Sequence, residues 1–198
     1  MARPRTIPDD VVLARVRDAL FVRGLRASLA DLAYAAGLTA PGLLRRFNSR
    51  DELVVKSLEL PSVPAWVALL EGGPDERPLH TQLHDILAQL DAFFTAMMPR
   101  LTALRESGCA RKKNAPRAFA ALRGWLERAR ERGLVRHLHK DADVAAAAEL
   151  IIGAAHARAF YQHVVEQRAP IRASAAQLRA STDLVVAALT PARKDSAS

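Results

Sequence analysis

Between Ser28 and Leu53 the chain carries three helix starts in close succession, and this spacing constrains the fold more than any other feature. Ser28 with Asp31, and Ser49 with Glu52, have the spacing of a capping box, and Thr39 is a natural N-cap between them. Leu29, Leu32, Ala33 and Ala36 form one apolar stripe, and Leu43, Leu44 and Phe47 form another, with Gly37 between the two. Two short helices packed across a tight turn, followed at once by a third, satisfy all of these signals. The stretch reads as a helix-turn-helix.

The preceding residues complete a three-helix head. Asp9 or Asp10 can cap a first helix to about Arg23, with Val12, Val16, Ala19 and Leu20 at helical spacing and Gly24 ending it. The candidate recognition helix is Ala40 to Phe47. Its first turn, Ala40-Pro41-Gly42, has no hydrogen-bonding side chain, which permits close backbone approach and contact with a thymine methyl but no bidentate base pairing. Arg45 and Arg46 are its only strong donors, better suited to phosphate than to guanine. Ser28, Thr39 and Arg50 stand at three helix starts, where free N–H groups and the helix dipole favour phosphate. Residues 1–8 hold Arg3 and Arg5; they form either a basic arm able to enter a minor groove or a terminus without a role.

Ala36-Gly37-Leu38-Thr39, Leu43-Leu44-Arg45-Arg46-Phe47 and Phe47-Asn48-Ser49-Arg50-Asp51-Glu52-Leu53 together resemble the DNA-binding signature of the tetracycline-repressor (TetR) family of bacterial regulators. Leu44 stands where that family usually has a tyrosine whose hydroxyl meets a DNA phosphate, leaving Arg45 or Arg46 to replace the contact. The stretch from Gly24 to Leu32 is about one residue shorter than is usual there. The resemblance covers about residues 10–55 and is architectural beyond them. It implies an all-α protein with an N-terminal helix-turn-helix head (9–60) and a C-terminal helical domain for ligand binding and dimerisation (61–191), then a tail (192–198). It also implies a double-stranded DNA operator as partner and a homodimer through the last two long helices.

The second domain is legible as helices punctuated by proline and glycine. A helix from Arg50 to about Leu60 is broken by Pro61 and Pro64, and a further piece from Pro64 to Glu71 closes at Gly72-Gly73-Pro74. From Pro78 a longer helix buries Leu83, Ile86, Leu87, Leu90, Phe93, Phe94 and Met97, with Pro99 expected to kink or interrupt it. Asn114-Ala115-Pro116 opens the next, ending near Gly133; Asp141 caps one to about Glu166, and Ala173 to Leu189 forms the last. Ala145 to Ala148 and Gly153 to Ala155 make the penultimate helix small-sided, so another helix can approach closely. Trp66, Phe93, Phe94, Met97, Leu101, Phe119, Leu122, Trp125, Ile152, His156 and Phe160 are the candidate lining of a pocket for a small apolar or aromatic molecule. Ordinary core packing explains the same stripes, and a regulator of this fold without an inducer is the alternative.

Charge points the same way with a complication. The net charge of +8 over 198 residues suits an anionic partner, yet residues 1–60 hold ten Lys/Arg against seven acids, whereas residues 99–140 hold twelve against three. The strongest basic block lies outside the DNA motif, either as a solvated face and loop or as a subsidiary anion surface. No P-loop, dinucleotide-binding glycine pattern, zinc motif or catalytic constellation is visible, so neither an enzyme nor a bound cofactor or metal is expected. His80 and His84 have i, i+4 spacing without a third ligand, and His156 serves either a ligand cavity or the core. Cys109 beside Arg111, Lys112 and Lys113 is either incidental or a redox-sensing thiol. With no apolar run of membrane-spanning length and no signal-peptide core, a cytoplasmic protein with no membrane partner is expected.

Overall fold

The computed structural model describes residues 7–59, 65–108 and 115–190; Arg3, Arg5, Cys109 and the breaks at Pro61 and Pro64 lie outside them. Among the described residues the regular structure is entirely helical: α1 (Asp9–Arg23), α2 (Leu29–Ala36), α3 (Ala40–Phe47), α4 (Arg50–Leu58), α5 (Ala65–Glu71), α6 (Leu79–Glu106), α7 (Ala115–Glu131), α8 (Asp141–Phe160) and α9 (Ala175–Leu189). The chain divides into two compact units, residues 1–60 with 100–111, and residues 61–99 with 112–198. The end of α6 therefore packs with the helix-turn-helix head, although its position in sequence suggested the second domain. Ala103 is buried in the head core and Leu104 packs against it, because the 100–106 stretch presents its apolar face there.

In the first unit, Val12, Val16 and Leu20 of α1 meet Leu32, Ala33 and Ala36 of α2, Leu43 and Phe47 of α3, and Leu53, Val54 and Leu58 of α4. Each stripe recurs at three or four residues, so one face of every short helix is buried. The caps close the gaps between them. The Ser28 hydroxyl accepts from the Asp31 backbone N–H at 3.1 Å, and the Asp31 carboxylate accepts from the Ser28 N–H at 3.1 Å, a complete capping box. Thr39 accepts from Gly42 N–H at 3.2 Å, and Ser49 from Glu52 N–H at 3.1 Å. The first helix differs from expectation: its N-cap is Pro8, which offers no side-chain bond, and Asp9 and Asp10 occupy the first turn, where the dipole favours them.

The second unit has its own core, with Trp66, Val67 and Leu70 of α5, Leu83, Ile86, Leu90 and Phe94 of α6, Leu122, Trp125 and Leu126 of α7, and Ile151 and Ile152 of α8. Pro99 lies within α6 and does not end it. Lys140 rather than Asp141 is the α8 N-cap; the Asp143 carboxylate accepts from the His139 and Lys140 N–H groups at 2.9 Å each, and Asp141 pairs with Arg130 instead. The α-helix ends at Phe160 and widens into a π-helical turn, Tyr161–Val165. Asp91, buried on α6, ties this region together by accepting from Arg158 and from the Ala173 N–H at 2.9 Å.

Gly37 ends α2 at φ +73°, and the Leu38 N–H turns back to the Ala33 carbonyl at 2.9 Å. A Cβ there would lie 3.2 Å from the Arg15 guanidinium. Gly37→Ala is expected to lower unfolding stability by about 1–2 kcal/mol, from the left-handed backbone alone. Denaturant unfolding followed by far-UV circular dichroism measures it.

Candidate nucleic-acid interface

Leu43 and Phe47 anchor α3 in the core, which turns the opposite side of the helix outward. Pro41, Leu44 and Arg45 are exposed there, Ala40 and Gly42 are half-buried, and the caps Ser28 and Thr39 are exposed at the starts of α2 and α3. A Cβ at Gly42 would sit 3.1 Å from the Thr39 hydroxyl that caps the helix, so a side chain there requires the cap to give by a few tenths of an ångström. The N-terminal turns of α2 and α3 thus reach solvent with small side chains around their free N–H groups.

The candidate arginines separate into two kinds. Arg45 is exposed and pairs with no described residue. Arg46 turns inward, donating to the Ile7 carbonyl at 2.8 Å and pairing with Asp9 at the start of α1. Arg50 also turns inward, donating through Nε and Nη2 to the Ala27 carbonyl at 3.1 and 2.9 Å and through Nη2 to the Leu25 carbonyl. Arg50 is expected at phosphate because it stands at a helix start where the resemblance implies such a contact, and Arg46 because it is one of the two strong donors on α3, of which at least one is expected to touch DNA. The carbonyls they bond lie outside helices and have few other donors to accept from. Arg15, which the sequence did not single out, does the same work, donating to the Ala36 carbonyl at 3.1 Å. The signal was available only as spacing: an arginine on α1 one turn after buried Val12 and next to buried Val16, with its acceptor at a helix end twenty-one residues on. Tyr34, also not singled out, is 82% exposed on α2.

Where it is described the basic block is mixed: Arg105, Arg123, Arg132, Arg136 and Lys140 are exposed, and Arg100, Arg128 and Arg130 are half-buried. Arg128 donates to the Leu70 carbonyl at 2.7 Å at the end of α5, Arg132 to the Pro74 carbonyl, and Arg130 to Asp141 at 2.9 Å. Half-buried Arg128 and Arg130 thus serve as donors to their own chain, while Arg132 does so from the exposed face. Burial, then the like charge of Arg17, makes Arg100 release its proton more readily than an ordinary arginine.

The candidate pocket residues of the second unit also divide. Trp66, Phe94, Leu122, Trp125 and Ile152 are core, with Phe93 and Met97 packed against it. Edge-to-face contacts run from Trp66 to Phe93 (5.8 Å between centroids), to Phe94 (5.3 Å) and to His156 (5.3 Å), which stacks on Phe160 at 6.0 Å. Leu101 is 40% exposed and belongs to the first unit, and Phe119 is 40% exposed. Neither belongs to the buried core of the second unit, although Phe119 shares a helical face with buried Leu122 and Leu126. His80 pairs with Asp183 at 2.9 Å and His84 with Thr182 at 3.2 Å, so the i, i+4 histidines join α6 to α9. No cluster of potential metal ligands occurs among the described residues, and none of their helices is long and apolar enough to cross a membrane.

No protein-family model and no curated protein matches the chain. Solved structures do. One that explains the control of antibiotic production by bacterial hormones shares 24% identity, covering 91% of this chain and 96% of the other with a TM-score of 0.66. The TetR-family regulator PfmR from Thermus thermophilus shares 22%, covering 90% and 98%, with a TM-score of 0.59. A TetR transcriptional regulator from Streptomyces coelicolor shares 23%, covering 93% and 99%, with a TM-score of 0.56. The chain has the fold of the TetR-family transcriptional regulators.

The Ser28 hydroxyl, then its backbone N–H, then the Arg23 guanidinium 2.7 Å away hold the Asp31 carboxyl below the usual carboxylate range. Its cap therefore stabilises the head fully above the unfolded value near pH 4 and loses that contribution as pH falls through the lower folded value. Asp31→Asn is expected to be less stable than the parent at pH 7, with the difference shrinking toward pH 3. Denaturant midpoints over that range check it.

Proposed function

We propose that this chain is a sequence-specific DNA-binding transcriptional regulator that acts as a homodimer. The observation that carries the reading is the outward face of α3, where capped, small-sided first turns and the unpaired Arg45 stand on a helix locked into the core by Leu43 and Phe47. A helix so placed has the length and polarity to enter a major groove, with its N-terminal residues against base edges. The structural neighbours named as transcriptional regulators support the same reading. The binding set is Ser28, Thr39, Ala40, Pro41, Gly42 and Arg45, with Arg3 and Arg5 as a minor-groove arm.

The dimer surface is the uncovered side of α8 and α9. Leu150 is 74% exposed and Leu184 73%, and Gly153, Ala154, Ala157 and Tyr161 continue the α8 side. An added Cβ at Gly153 meets nothing within 4 Å, so the helix is open to close approach there. Apolar and small residues at that exposure fit a two-fold partner, which would present two heads to two half-sites. Repression relieved by a small apolar or aromatic ligand completes the reading: the ligand binds better to a conformer with the wrong half-site spacing. The packed ring ladder favours a second reading, in which the same regulator needs no inducer.

Binding of the purified protein to DNA flanking its own coding region, over a salt series and against unrelated DNA, tests the proposal. A specific complex of one dimer per site is expected, and equal affinity for unrelated DNA at every tested flank would count against it. Arg45→Ala is expected to weaken operator binding and reduce the slope of log affinity against log salt by about 1. Leu150→Asp with Leu184→Asp is expected to elute as a folded monomer in size-exclusion chromatography with light scattering and to lose cooperative operator binding.

A further inference from the structure

We propose that Arg50 is a positioning residue of the head: it holds the α1–α2 loop, and through it the N-terminus of α2, and does not neutralise a phosphate. The functional half of this inference rests on the DNA-binding reading above; the conformational half does not.

Arg50 is the first residue of α4, with its side chain one-third exposed. Its Nε and Nη2 donate to the Ala27 carbonyl, and Nη2 reaches the Leu25 carbonyl as well. The remaining nitrogen, Nη1, lies 3.6 Å from the Asp51 carboxylate. That separation exceeds a hydrogen bond, so Nη1 is uncommitted, while a bidentate phosphate contact through Nε and Nη2 would have to displace both backbone carbonyls. Crowding does not force the arrangement, because a cavity of about 490 Å³ opens beside the side chain, lined also by Leu25, Arg26, Asp51 and Val54. Hydrogen bonding selects it.

What the fork holds explains the role. Ala27 is buried and immediately precedes Ser28, the N-cap whose hydroxyl and N–H make both halves of the α2 capping box. The loop is otherwise closed by one backbone bond, Ala27 N–H to the Gly24 carbonyl at 3.1 Å, and by the exposed Arg23–Asp31 pair across it at 2.7 Å. Nη2 alone bridges the two carbonyls and Nε adds a second bond to Ala27; a lysine ammonium carries the same charge but lacks that second nitrogen and the rigid plane that fixes the pair, so it can keep only part of the set. Arginine and lysine at this position therefore differ in shape while matching in charge, which separates positioning from phosphate neutralisation.

The test compares the full-length parent with Arg50→Lys and Arg50→Ala by thermal unfolding, by amide hydrogen exchange of residues 25–31, and by binding to the flanking operator DNA over a salt series at a temperature where all three stay folded. Under the proposal Arg50→Lys, despite its charge, exchanges faster at Ser28 to Asp31 and binds the operator about tenfold more weakly at every salt concentration, the fold-change expected from losing a charge-assisted bond. Arg50→Ala does the same, and neither changes the salt slope. If Arg50→Lys retains parental protection and affinity while Arg50→Ala lowers the slope by about one phosphate, the proposal is overturned and Arg50 is a DNA contact. Should the parent bind no DNA specifically, the reading of function fails by itself, and the exchange data still decide whether Arg50 holds the loop: unaltered exchange in Arg50→Lys would refute it.

Discussion

Backbone carbonyls at helix ends and in loops have no intrahelical donor, and in this protein guanidinium groups supply many of the donors they need. Arg15 reaches the last turn of α2, Arg46 the approach to α1, and Arg50 the loop between α1 and α2. Three helices of eight or nine residues each are too short to hold themselves by propensity, since isolated helices of that length are marginal in water. Their stability comes from one shared apolar core and from bonds that fix how each helix enters and leaves it. Arg128 and Arg132 do the same at the end of α5 and the turn after it. An arginine suits the task because its fork spans neighbouring acceptors while its stem covers apolar surface.

This use of arginine changes how the positive charge should be understood. A net charge of +8 with a helix-turn-helix invites the view that the cations face DNA, yet the ones with resolved partners bond carbonyls and carboxylates of their own chain. Internal bonding does not remove the charge. It still contributes to the long-range field that draws an anionic polymer, which falls off over about 10 Å at 0.1 M salt. Many arginines thus contribute to the field, and on α3 Arg45 is the one with no partner among the described residues.

The second unit joins its helices by polar pairs at the edge of an aromatic and aliphatic core. His80 with Asp183 and His84 with Thr182 link α6 to α9, and buried Asp91 links α6 to Arg158 and to the residues leading into α9. A carboxylate with 4% side-chain exposure persists there because a guanidinium and a backbone N–H both donate to it. The ring ladder from Trp66 to Phe160 runs from the buried interior to a half-exposed end, so the same aromatic side chains serve as core at one end and as surface at the other.

The elements of the head were legible because they depend on local chemistry. Ser28, Asp31, Gly37, Thr39 and Ser49 act on backbone groups within four residues of themselves, and the apolar stripes of α2 and α3 follow helical geometry, so the helix-turn-helix could be read from residue order. The helical character of the remainder followed from the same periodicity. What residue order left open was the partner of each long polar side chain. An arginine two helices away from a free carbonyl looks the same in sequence as one facing solvent, and only the packing of α4 against the α1–α2 loop, or of α3 against the start of α1, brings donor to acceptor. The caps and stripes were thus determined by the sequence itself; the choice of which α3 arginine turns inward, the attachment of residues 100–106 to the head, and the pairing of the histidines on α6 were decided by tertiary structure, because each depends on groups distant in the chain coming into contact.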